Sequence, residues 1–427
     1  MEINEATQQF VQEHTNDDVR LLALQAHASS EVDLPFALDQ IRGRQIARRK
    51  LPAWAAIDDI LYPPHLSMEQ CSSEQTARYK AQIVARLSAS SGGVSRLVDL
   101  TGGFGVDFAF MQEVFGEAVY VEQNPQLCDL ARHNFPLLGL SKTEVICSTT
   151  EEFLNTLWGV KKSSRTRGGL EGAIFYLDPA RRDNHGGRTY GIADCTPNVL
   201  ELRDALLDKA DYVLLKLSPM LDWRKAVKDL GEQHVREVHI VSVNNECKEL
   251  LLLLQKPNNT QQEHHSVKLF CVNDQQEFSV IVERKEGWGS AGAERFALPQ
   301  VGQYLYEPNA SLMKAGCFRA LCERFGLSPV GPDSHLFVQT DAGRDENESV
   351  FPGRKFQISA ISSMNKRSLR QNLSSISQAN IATRNFPMKS EELRRRLKLR
   401  DGGDTYIFGT TLADGSHVIL VCKKIIE

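Results

Sequence analysis

Six strand-like apolar runs recur between residues 96 and 243, and this recurrence constrains the fold more than any other feature of the chain. The runs are 96–100, 118–122, 143–147, 173–177, 212–217 and 238–243, with helix-compatible stretches at 108–115, 126–134, 199–206 and 223–230 between most of them. Strands that alternate with helices predict a doubly wound, mostly parallel sheet. Two further runs, 266–272 and 278–283, follow one another with no helix between and predict an antiparallel hairpin at the sheet edge. The expected fold class is therefore α/β, with a Rossmann-like core.

Elements predicted on either side divide the chain into four. Residues 1–70 read as a helical cap. Asp17 and Asp18 can open one helix, and a second, basic helix after Pro35 carries Arg42, Arg44, Arg48, Arg49 and Lys50 before Pro52 stops it. Residues 71–285 hold the sheet, led by a helix that Ser72 or Ser73 can cap and that runs to the Ser/Gly cluster at 88–93. After a linker-like stretch at 287–292, residues 286–350 predict a small α/β unit of ferredoxin-like type, with a helix capped by Asn309 and a polar loop at 343–349. Residues 351–427 predict a last unit with a strand at 355–360, helices near 366–373 and 391–397, and strands at 405–410 and 417–422 turned by Asp414-Gly415.

Charge separates that last unit from the rest. The whole chain has a net charge of −4, yet residues 351–427 carry 14 Lys and Arg against 6 Asp and Glu, so a basic end adjoins an acidic body and is suited to a polyanion. Apolar residues at 41% and charged residues at 24% describe a folded globular chain, neither disordered nor membrane-embedded. The first 18 residues are polar and the longest apolar runs are far too short to span a bilayer, so neither export nor a membrane anchor is expected. Nine cysteines without a CxxC pair fit a reducing cytoplasm, and eleven histidines without an HxxxH pair lead us to expect no metal site.

Chemistry concentrates at the predicted strand ends. The first run closes in Asp99-Leu100-Thr101-Gly102-Gly103-Phe104-Gly105, where glycines let the backbone approach a ligand and an acid can accept bonds from an amino group. Glu122 ends the second run and can accept bonds from both hydroxyls of a ribose. Asp99 and Glu122 together describe a nucleoside site; a tight structural turn is the alternative for the glycines, a solvated strand end for Glu122. The fourth run closes in Asp178-Pro179-Ala180-Arg181-Arg182, where a parallel sheet places its ligand crevice.

The acid-Leu-x-x-Gly-x-Gly turn, met by Asp99, Leu100, Gly103 and Gly105, resembles the first motif of class I S-adenosylmethionine-dependent methyltransferases over residues 70–285. That resemblance implies a Rossmann-like methyltransferase core, with S-adenosylmethionine held by Asp99, Gly102, Gly103, Gly105 and Glu122. Gln70, ahead of the first strand, and Ser148, just past the third, complete the candidate cofactor set. A nicotinamide dehydrogenase competes for the motif but is disfavoured by the edge hairpin and by Asp178-Pro179. The latter is similar to the Asp-Pro-Pro-aromatic motif of N-methyltransferases, in which the acid holds the target nitrogen; Ala180 and Arg181 depart from it, so a flipped base would stack on Arg181 or Arg182.

The candidate catalytic residues are thus Asp178, Pro179, Arg181 and Lys216. Uridine C5 methylation requires a cysteine where Lys216-Leu217-Ser218-Pro219 stands. Ribose 2'-O-methylation competes, through Lys80, Asp178 and Lys216 with Glu246 or Glu283. The whole chain resembles bacterial methyltransferases that end in a THUMP-like domain, which implies an RNA partner such as tRNA gripped by the basic C-terminal unit. There, Phe386 would offer a stacking surface among Arg394, Arg395, Arg396, Lys398 and Arg400. Phe386 reads equally as a core residue, and the arginine run as a solvated helix face. A non-catalytic RNA-binding protein, or a methyltransferase of small molecules or proteins, are the remaining alternatives.

Overall fold

The computed structural model describes residues 4–25, 31–91, 96–156, 172–181, 191–257, 266–283, 295–339 and 350–425. The predicted stretches 287–292 and 343–349, and Arg182, lie outside the described residues. The chain divides into two units, Met1–Glu237 with Leu250–His264, and Val238–Glu249 with His265–Glu427.

The first unit opens with α1 (Glu5–Glu13), α2 (Val19–Gln25), α3 (Leu34–Lys50), α4 (Pro52–Ala55) and α5 (His65–Gln70). Helix α3 is capped by Asp33, starts with Pro35 in its first turn and buries Ala37, Gln40, Ile41, Gly43 and Ala47. Its Gln40 side chain brackets the Tyr62 backbone with two bonds of 2.8 Å. Asn134 brackets Leu61 in the same way at 3.0 and 2.8 Å. Two side-chain amides thus fix the chain entering α5 and, beyond it, α6 (Glu74–Ser91). Of the two serines able to cap α6, Ser73 does so, with its Oγ accepting the Thr76 N–H at 3.2 Å.

Strands β1 (Arg96–Asp99), β2 (Glu117–Glu122), β3 (Thr143–Cys147), β4 (Ala173–Leu177) and β7 (Tyr212–Leu217) pair in parallel in the order β3-β2-β1-β4-β7. Every β4 residue is buried, as both faces of such a sheet are covered. The crossover helices are α7 (Val106–Met111), α8 (Pro125–Leu137), α9 (Thr150–Thr156), α10 (Val199–Lys209) and α11 (Trp223–Leu230); β5 (Ala180–Arg181) and β6 (Cys195–Thr196) form a short separate ladder. Completing the large sheet are β8 (Val235–Val243), β9 (Glu246–Leu254), β10 (Ser266–Asn273) and β11 (Gln276–Glu283), for a full order of β11-β10-β8-β9-β7-β4-β1-β2-β3. The predicted edge hairpin is β10–β11. Strand β9 was not among the predicted strands. It lies antiparallel to β7, with Leu250–Leu254 facing Leu217–Val213.

The second unit carries a seven-stranded sheet in the order β13-β14-β12-β15-β18-β17-β16. Its strands are β12 (Tyr304–Pro308), β13 (Leu327–Pro329), β14 (Phe337–Gln339), β15 (Gly353–Ser363), β16 (Asn380–Arg384), β17 (Thr405–Thr411) and β18 (His417–Ile425). Its helices are α12 (Ala310–Ala315), α13 (Phe318–Phe325), α14 (Lys366–Leu373) and α15 (Ser390–Leu397). Leu305, Val338, Phe356, Phe408 and Leu420 share one core. Strand β12 pairs with β15 from Tyr304↔Gln357 to Pro308↔Gly353, so strands from both sides of residue 350 share one sheet. Residues 380–384 form β16 within this sheet, and Phe386 packs partly buried against Leu393 and Ile419. Phe386 is a packing residue, which corrects its expected use as an open stacking surface.

Candidate active site

In the order β3-β2-β1-β4 the chain reverses direction across the sheet between β1 and β4, the point at which open α/β sheets receive ligands beyond their strand ends. Asp99 ends β1 there, its Oδ1 accepting the Thr101 N–H at 3.0 Å. Burial pushes the Asp99 carboxyl well above the usual carboxylate range, against the lowering effect of that bond. Gly103 and Gly105 hold φ of +57° and +83°, conformations that favour glycine. At Gly102 the reason is space: a Cβ would lie 2.1 Å from the Tyr120 ring. We expect Gly102→Ala to destabilise the fold by about 1–3 kcal/mol, as forced overpacking does, and to weaken cofactor binding. Urea unfolding and calorimetry check both effects.

Glu122 joins the turn to the next strand end. Its Oε2 accepts the Gly103 N–H and its Oε1 the Asn124 N–H, both at 2.8 Å, while its carbonyl accepts the Ser148 N–H at 3.0 Å. Tyr120 donates its hydroxyl to the Gly103 carbonyl. Each Glu122 oxygen uses one backbone donor and keeps lone-pair capacity for a ligand hydroxyl. The glycine turn, Glu122 and Ser148 are thus linked by hydrogen bonds at neighbouring strand ends. Gln70, exposed at the end of α5, makes none of these contacts.

Across the reversal point, Leu177 of β4 faces Leu215 of β7, so Asp178 and Lys216 emerge side by side. The Lys216 Nζ lies 2.6 Å from Asp178 Oδ2, and the Asp178 N–H donates to Thr101 Oγ1 at 2.6 Å. Lys216 also reaches Ser72 Oγ at 3.0 Å and Asp107 Oδ2 at 3.6 Å. Asp107 in turn holds Lys80, whose side chain is 0% exposed, at 3.2 Å, and accepts bonds from Ser72 Oγ at 2.8 Å and the Tyr176 hydroxyl at 2.6 Å. Burial alone would raise the Asp107 carboxyl; the ammonium groups of Lys80 and Lys216 and the two hydroxyls outweigh it and hold the group at about 2. Positive and negative charges thus alternate from Lys80 through Asp107 and Lys216 to Asp178, which is 38% exposed.

Asp107, Tyr176, Thr101 and the bridging role of Ser72 escaped the sequence reading. A signal for Asp107 exists: it is the one charged residue in the apolar run 106–111. Pro179 is buried beside Asp178, and the Arg181 backbone pairs with Cys195. Glu246 pairs with Lys248 at 2.7 Å and Glu283 faces Ser266 in the β10–β11 hairpin, so neither joins the cluster. Among the described residues no group of three or more His, Cys, Asp and Glu could hold a metal, and no helix is long and apolar enough to cross a membrane.

A glycine turn between two acidic strand ends, set at the reversal point of this sheet, defines a Rossmann-like methyltransferase core. Residues 353–424 match the THUMP domain-like family and residues 304–345 a ferredoxin-like domain family. A crystal structure from Porphyromonas gingivalis W83, assigned as a methyltransferase, is 31% identical, with all of both chains covered and a TM-score of 0.81. An uncharacterized S-adenosylmethionine-dependent methyltransferase of Mycobacterium tuberculosis CDC 1551 is 24% identical over 368 residues, 84% of this chain and 87% of that one. The chain belongs to the S-adenosylmethionine-dependent methyltransferases that carry a C-terminal THUMP-like domain; it is an enzyme, and S-adenosylmethionine is its methyl donor.

Proposed function

We propose that the enzyme methylates RNA at a base nitrogen positioned by Asp178. One observation carries this reading: Lys216 engages Asp178 through Oδ2 alone, and Oδ1 has no partner among the described residues on a half-exposed carboxylate at the crevice. A carboxylate oxygen in that state suits an N–H donor.

S-adenosylmethionine supplies a methyl group on a sulfonium. Asp99, Gly102, Gly103, Gly105, Glu122 and Ser148 fit its binding: Glu122 offers lone pairs to ribose hydroxyls, and the side of Gly103 that a Cβ would occupy is open, with only the Thr101 carbonyl nearby at 3.8 Å. Asp178 accepts an N–H of the target, aligns its nitrogen with the methyl, and takes the proton released as the N–C bond forms and the C–S bond breaks. Pro179 stiffens the loop presenting this carboxylate, and Lys216 fixes its orientation, so catalysis rests on alignment. Ribose methylation through Lys80 is less well supported, because the Lys80 ammonium is enclosed against Asp107.

The RNA assignment draws on the THUMP-like match and on Arg395, Arg396, Lys398 and Arg400, all exposed on or just after α15. Nine free thiols suit work in a reducing cytoplasm. The test is transfer of labelled methyl to total tRNA and rRNA. Arg395→Glu with Arg396→Glu should suppress labelling while leaving donor binding intact; labelling of a protein or small molecule alone would overturn the RNA assignment. For the donor site, Glu122→Ala should weaken S-adenosylmethionine binding roughly 10- to 100-fold, matching the worth of hydrogen bonds to a charged group, as read by calorimetry.

A further inference from the structure

The basic helix α3 has no part in the chemistry above, yet it lines a cavity of about 480 Å³ together with α2 and Glu69. Four guanidinium groups line it: Arg20 from α2 and Arg42, Arg48 and Arg49 from α3. None of them is paired with a carboxylate among the described residues. Arg42 bonds to the His65 ring at 3.0 and 2.8 Å, Arg48 to the Asn16 amide oxygen at 2.6 Å, and the side chains of Arg20 and Arg49 have no partner there.

Carboxylates do line the same cavity, and each is engaged elsewhere. Asp18 caps α2, accepting the Arg20 N–H at 2.8 Å; Asp17 lies 2.7 Å from His14; Glu69 lies 3.8 Å from His65. Arginines held beside acids without pairing to them keep their donors for an outside anion, and the guanidinium fork matches phosphate oxygens. Glu69 lies three residues before Ser72, so the cavity rim continues along the chain into the charge cluster.

We infer that this cavity is a phosphate site, and that its occupant is a backbone phosphate of the RNA substrate. The assignment of RNA rests on the reading above; the phosphate chemistry does not. The cavity would grip the RNA independently of the basic C-terminal unit.

The experiment uses the full chain and the double variant Arg20→Gln/Arg49→Gln, whose exposed side chains can be replaced without breaking a contact in the fold. Two probes are titrated, total tRNA across a salt series and inorganic phosphate by calorimetry. We expect tRNA affinity to fall about tenfold in the variant and the slope of log K against log salt to shrink by about 2, one for each phosphate contact removed. Saturable, variant-sensitive binding of inorganic phosphate with tRNA binding unchanged would overturn the RNA occupant and leave a site for a free phosphate. If the variant changes neither titration, the site itself is refuted. A wild-type chain that binds no tRNA condemns the RNA reading, and the phosphate titration then judges the cavity separately.

Discussion

Replacing Asp178 by alanine lowers kcat for methyl transfer by about 10²-fold or more, the range lost when a group that aligns or deprotonates a reactant is removed, while donor affinity changes by less than about threefold. The asymmetry follows from position. Asp178 touches Thr101 through its backbone N–H, which alanine retains, and meets Lys216 through a carboxylate that alanine lacks. Glu122 and the glycine turn, which hold the donor in our proposal, are bonded to one another without Asp178. Asp178→Asn separates charge from shape. It keeps an acceptor oxygen but cannot take the proton, so it should recover the share of the rate that alignment supplies and not the share that proton transfer supplies. Single-turnover kinetics with saturating donor give the rate constant of methyl transfer free of product release, and a wild-type rate in the alanine variant would remove Asp178 from the mechanism.

Asp107→Leu should cost about 3–5 kcal/mol, the usual penalty for deleting one partner of a buried ion pair. It leaves the fully enclosed Lys80 ammonium facing an apolar side chain and takes from Lys216 its contact with the Asp107 carboxylate. The same residue sets a pH dependence. Its carboxyl stands at about 2 in the folded chain against an ordinary 3.8, so the unfolded chain takes up the proton first. The contribution of Asp107 is therefore complete above about pH 4 and lost as the pH falls towards 2. Urea unfolding of wild type and Asp107→Asn at stepped pH should show a gap that is widest near neutrality and narrows in acid. A gap below about 1 kcal/mol at pH 7 would mean that the cluster has little influence on the fold.

Much of the core was legible because buried parallel strands leave short, continuous apolar runs: the expected ranges 173–177 and 212–217 coincide with β4 and β7. Strand β9 was not legible. Its first half, Glu246 to Glu249, is polar, and an apolar run of five such as Leu250–Leu254 does not by itself announce a strand that folds back antiparallel. The site was half visible for a similar reason. Glu122 meets the glycine turn across 19 residues within one strand-helix-strand repeat, a spacing that sequence can carry. Ser72 meets Asp107 across 35 residues and Lys216 across 144, contacts that only the assembled sheet creates. Phe386 shows the converse limit. Its charged neighbours suggested exposure, but packing against Gly409 and His417 holds it down.

The pairing of β12 with β15 bears on how this enzyme can be dissected. Deleting residues from 351 onward would leave β12 paired only with β14, strip it of β15 along Tyr304–Pro308 and uncover Leu305, which shares a core with Phe356 and Phe408. An unsatisfied strand edge beside an open apolar face recruits other chains, so the shortened protein should aggregate before it reports anything about substrate. Lost activity in such a deletion would measure solubility. Exposed charges such as Arg395 and Arg396 can instead be reversed one at a time with the sheet left whole, which makes surface charge the handle for testing the proposed RNA contact and the chain terminus a poor one.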